Sequence, residues 1–113
     1  MNEHLVVVTT PVLPGHRVVK VLGVVHGLTV RTRGFGGKIS ASFQSIIGGE
    51  VTAYTSECEK AREESMHRLV ENARAMGANA VIAADFETSA IMGGFATVFA
   101  TYGTAVVVEQ TYD

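Results

Sequence analysis

Few side chains in this sequence could do chemistry: one cysteine, four histidines and a scatter of carboxylates. The run ECEKAREESMHRLVE, residues 57–71, sets Cys58 and His67 among carboxylates and cations, a composition that suits a transition-metal site. Helical geometry tests that idea. At about 100° per residue, positions 58 and 67 of one helix lie about 180° apart, so a single ion cannot touch both. Cys58 falls instead near the centre of a stripe of Val51, Tyr54, Cys58, Ala61, Ser65, Leu69, Ala73 and Met76. There a thiol serves as a small buried hydrophobe, with a reactive or ligating thiol as the alternative. His67 faces solvent between Glu63 and Glu71 at i−4 and i+4, a spacing that can hold a metal weakly but more often makes a solvated face.

His26 is the third candidate metal ligand. It lies between Val24 and Leu28 on an apolar strand face, where a satisfied core or interface histidine is the default. In a ring of identical subunits, however, one histidine per chain can converge on the symmetry axis and bind a metal that no single chain could hold. His4 and His16 are expected to be exposed. Arg62 stands about 40° from Cys58, inside the apolar stripe with Asn72 on the same broad face, and a buried arginine demands a partner. Asp85, Glu87 or a carboxylate of a neighbouring subunit is the expected acceptor, in an architectural ion pair rather than a catalytic one.

Other motifs fail on inspection. RGFGGKIS has Thr32 and Ile39 where a Walker loop needs glycine and Ser/Thr, and Ile39 also breaks a dinucleotide fingerprint. What remains is a basic turn with Arg31, Arg33 and Lys38, open to an anion. No Ser/His/Asp signature, HxxxH, CxxC or nucleophile elbow is present, so the chain is expected not to be an enzyme.

The elements that must position these residues are legible from periodicity. LVVVTT at 5–10 reads as a short strand ended by Pro11 and Pro14. RVVKVLGVVHGLTVRT, 17–32, is a long strand with Gly23 and Gly27 as bulge or close-approach points; Val19, Val21 and Val25 line one face and Val18, Leu22, Val24, Leu28 and Val30 the other. Ile39, Phe43, Ile46 and Ile47 space a short helix ended by Gly48-Gly49. A long helix from about Thr52 to Met76 is capped by Gly77, and Glu64 with Arg68 and Glu71 with Arg74 are expected to pair along it, as is Lys60 with Glu64. ANAVIAADFE then turns to a period of two, and FATVFATYGTAVVVEQ forms a last long strand with Gly103 as a bend or bulge.

These elements predict an α+β domain with an antiparallel or mixed sheet and one long and one short helix, residues 1–113 forming a single domain. Two long strands apolar on both faces exceed what one helix can cover, so identical copies are expected to cover the rest. A net charge of −2 without a Lys/Arg run argues against nucleic acid as a partner. A single cysteine and the start MNEHLVVVTTP fit a reduced, cytoplasmic setting, and no stretch is apolar for long enough to span a bilayer as a helix.

TTP at 9–11, GVVHG at 23–27, IIGG at 46–49, Tyr54, AREE at 61–64, GANAV at 77–81 and GTAVVV at 103–108 together resemble the YbjQ family, which carries a heavy-metal-binding description. The likeness runs from about residue 5 to 109. It implies a small α+β protomer assembled as a ring, with pentamers seen in the family, and a divalent transition metal of open identity as the ligand. His26, Cys58 and His67 are the residues here that could serve such a metal, while Tyr54, Arg62, Asn79 and Asp85 are assigned structural or interface roles.

Overall fold

The computed structural model describes residues 5–32 and 52–111, with the side chains of the second stretch described from residue 55 onward. Along the chain run β1 (Val6–Val7), β2 (His16–Thr32), helix α1 (Thr52–Ala75), β3 (Ala80–Ile91), a 3-10 turn (Met92–Gly94) and β4 (Ala96–Gln110). They make one mixed four-stranded sheet in the order β1-β3-β4-β2, with β1 parallel to β3 and the other neighbours antiparallel. The α+β class and the long helix match the sequence reading. The short helix expected over residues 39–47 lies outside the described residues.

α1 packs on one face of the sheet, and its buried positions Ala61, Ser65, Leu69 and Ala73 follow the i, i+4 stripe. Against them sit Val25, Val81, Ala84 and Ala105, the centre of the core. Small residues allow a close approach. A Cβ on Gly27 would collide with the main chain of α1 at Ser65 and Leu69, so β2 touches the helix backbone directly there. Gly103 plays the same part on β4, because a Cβ would come within 2.6 Å of Val81 and 3.1 Å of Ala84; it is a contact point rather than a bend. α1 ends in a Schellman motif: Gly77 has φ +94°, Ala78 N–H donates to Ala73 O at 3.0 Å, and Gly77 N–H donates to Arg74 O at 2.9 Å.

Register explains which residues share a face. The β2–β4 ladder slips between Val18 and Lys20 and again between Val21 and Gly23, so residues 19 and 22 are bulged. Strict alternation predicted Val21 and Val25 on one side. The second bulge separates them: Val25 is 3% exposed under α1, whereas Val21 is 64% exposed on the far side. That far side has a small cluster of its own at one end, Ala80, Val106 and Val108 with Leu13 against them. Toward the other end no described element covers it.

Asn79 holds the start of β3. Its side chain bonds Val108 at both ends, donating from Nδ2 to Val108 O at 3.0 Å and accepting from Val108 N–H at 2.8 Å, so the amide extends the ladder by one residue.

Candidate functional site

The open half of the helix-free face is ordered by two ladders. His26 stands opposite Tyr102 and Tyr102 opposite Asp85, while Leu28, Ala100 and Glu87 form the next row, and Val30, Val98 and Ser89 the one after. Directly opposed residues of an antiparallel pair share a face, so these rows lie side by side on one surface. Val24, Leu28 and Val30 are 67%, 52% and 52% exposed on it. Tyr102 is pushed above its ordinary pKa of 10.0, by the carboxylate of Glu87 first and of Asp85 second, with burial adding to both. The phenol therefore stays protonated and keeps an O–H donor in the middle of the surface. Asp85 also accepts the main-chain N–H of Phe86 at 2.8 Å.

Among the described residues, two clefts lie beside the helix. The larger, about 290 Å3, opens where α1 crosses the free edge of β2 and is lined by His26, Leu28, Arg68, Glu71 and Asn72. Here Asn72 donates to His26 O at 2.8 Å and Arg68 to Leu28 O at 2.7 Å, so helix side chains take up edge carbonyls that would otherwise offer themselves to another strand. The smaller, about 130 Å3, lies between α1 and β3 and is lined by Arg62, Ser65, Phe86, Glu87, Thr88, Phe99 and Ala100.

Arg62 differs from expectation. It is exposed, not buried in the stripe, and its guanidinium sits 5.4 Å from the centroid of the Phe86 ring. No ion pair forms with Asp85 or Glu87 among the described residues, because the helix side of β3 offers an aromatic ring while Asp85 belongs to the opposite face. Arg31 differs too: it does not wait for an anion but bridges to Glu57 at 3.5 Å and Glu64 at 3.1 Å, tying the end of β2 to α1. Glu64 also pairs with Arg68 at 3.1 Å, and Glu71 with Arg74 at 3.6 Å, as their spacing predicts; Glu64 is thus taken up by arginines, and no pair with Lys60 forms.

The three candidate metal ligands do not meet. His26 is exposed on β2, Cys58 is half-buried in α1, and His67 is exposed on α1. The larger cleft brings His26 to Glu71, one of the carboxylates paired with His67 by spacing, but Arg68 lines the same cleft and disfavours a dication. Among the described residues no group of three or more His, Cys, Asp or Glu is placed to hold a metal ion. Residues 33–51 contain only Glu50 of those types. The donors among the described residues of one chain therefore do not fit the three or four ligands a transition metal takes. Tyr54 lies in α1 and its side chain is outside the described part.

Sequence reasoning missed Tyr102, Phe86 and a buried hydroxyl pair. Ser65 and Thr101 are 2.8 Å apart in the core, and nearby Thr29 is 2% exposed with no partner for its hydroxyl. Only the cross-strand register reveals them.

A family profile described as "Putative heavy-metal-binding", YbjQ, matches residues 5–109. The chain belongs to this family. Among curated members it is similar to a UPF0145 protein of Methanoregula boonei, 49% identical over 96% of this chain and 90% of the relative. A UPF0145 protein of Sulfurisphaera tokodaii is 46% identical over 97% and 96% of the two chains. Among solved structures, a protein of unknown function from Pediococcus pentosaceus, assigned to the DUF74 family, superposes with a TM-score of 0.62 over 93% of this chain and 98% of that one. At 14% identity that likeness shows a shared fold. No helix of the described YbjQ chain is long and apolar enough to cross a membrane.

Proposed function

We propose that the chain works as a non-enzymatic homo-oligomer of the cytoplasm, a ring of five copies, that holds a small ligand or a metal ion. One observation carries the assembly: Val24, Leu28 and Val30 stand 52–67% exposed in a row on the helix-free face. Fully burying such a side chain is worth about 1.5–3 kcal/mol, so a second copy laid over this face gains more than water offers. Among the described residues β3 has no strand on its outer side beyond Ala84, since β1 and the segment after it bond it only as far as Ala84, and such an edge allows a head-to-tail arrangement. Sedimentation velocity from low to high micromolar concentration tests it; an oligomer throughout supports the reading, and a folded monomer throughout removes it.

Metal binding, which the family description implies, would draw donors from neighbouring copies, because the described residues of one chain bring too few together. His26 is the donor that the free face presents. Equilibrium dialysis against zinc, copper and nickel, with His26→Ala and Cys58→Ser beside the wild type, measures it. Stoichiometric uptake lost in His26→Ala supports a site between copies; no uptake by the wild type removes the metal from the function.

A further inference from the structure

We propose that the cleft beneath Arg62 is a seat for a carboxylate group, supplied by a small free acid or by an Asp or Glu side chain of a second copy of this chain. The inference rests on the small-ligand reading above where a free acid supplies the group, and on the assembly where a second copy does. Four of the five described arginines, Arg17, Arg31, Arg68 and Arg74, each reach a carboxylate within 3.6 Å. Arg62 alone among them has none and lies against Phe86 instead. The Phe86 ring offers the guanidinium N–H groups no acceptor in its plane, which leaves them open to receive a carboxylate through two parallel hydrogen bonds.

The rest of the cleft favours the same chemistry. Register puts Phe86 opposite Thr101 and Thr88 opposite Phe99 on the helix side, and Glu87 opposite Ala100 on the other face. Glu87 also lines the cleft, but register places it on the face of Tyr102, whose pKa its carboxylate raises, and not on the face of Phe86 and Thr88. Phe86 and Phe99 make apolar walls that strengthen an ion pair, and the Thr88 hydroxyl adds a donor. At about 130 Å3 the cleft holds about four waters' volume, room for an acid of two or three carbons or for the end of an acidic side chain.

The test uses the full 15N-labelled chain, titrated with sodium acetate and, in parallel, with sodium chloride at equal ionic strength. The Arg62 Nε–H and Thr88 amide signals are followed, and the same samples are sedimented. The expected result is a saturable shift with acetate only, half-complete at roughly millimolar concentration, and about tenfold weaker in Arg62→Lys, which keeps the charge and loses the fork. If a neighbouring copy supplies the group, acetate instead binds only as assemblies dissociate, and Arg62→Ala yields folded smaller species. Equal shifts with both salts and unchanged assembly in Arg62→Ala overturn the proposal, as does lysine binding acetate as tightly as arginine. A monomeric wild type that binds acetate removes the assembly and leaves this site standing.

Discussion

The two faces of the sheet are built from the same alternating strands and reach opposite outcomes. On one, Val25, Val81, Ala84 and Ala105 are closed over by Leu69 and Ala73 of α1, and glycine at 27 lets the helix backbone touch the strand. On the other, the next residues along β2, Val24, Leu28 and Val30, stay more than half exposed. Helix length is the physical difference: 24 residues at about 1.5 Å each cover one side of the sheet once. Among the described residues the helix-side face is closed over, and the free face carries apolar area that no described element covers.

The largest expected effect lies on the finished side. Gly27→Ala forces a methyl into the main chain of α1 and should cost about 3 kcal/mol or more, read as a lower midpoint in urea. A loss within 0.5 kcal/mol would mean that helix and strand can separate at no cost, and the contrast between faces would blur. Leu28→Asp tests the other side. It should leave the far-ultraviolet circular dichroism of the protomer unchanged, because the site is exposed, while shifting assembly toward single chains by at least tenfold in concentration. Loss of the fold itself would show that Leu28 serves the protomer.

Two smaller effects sharpen the comparison. Thr29 buries a hydroxyl without a partner on the finished face, so Thr29→Val should be neutral or stabilising by up to about 1 kcal/mol. A marked loss would reveal a hidden partner. On the open face, the raised pKa of Tyr102 means that folded and unfolded chains are both protonated below pH 10.0, and that the unfolded chain ionises first above it. Stability should therefore decline as pH climbs past 10.0, and less steeply in Glu87→Gln, which removes the largest cause of the shift. Identical slopes for the two proteins would contradict it.

How much of this was legible in the sequence follows from what each feature depends on. The helix stripe, its Gly77 cap, the Glu64–Arg68 pair and the long strands are local, set by period and by single residues, and they stand where spacing placed them. The bulge beside Gly23 stands at one of the two glycines that marked bulge or close-approach points, whereas the one near Val19 carries no such signal, and which face each valine takes was not legible, since the slip between Val21 and Gly23 put Val21 on the face away from Val25. The row of His26, Tyr102 and Asp85 joins residues far apart in sequence through register alone. Arg62 was misplaced for a related reason: 40° on a helical wheel separates stripe from rim, and only the position of Phe86 decides which side of that line the guanidinium takes.

Sedimentation velocity of the wild-type chain at low micromolar concentration tests the contrast most directly. An unfinished face predicts a discrete assembly well above 12.0 kDa, stable on dilution. A folded, non-aggregating single chain of that mass would contradict it.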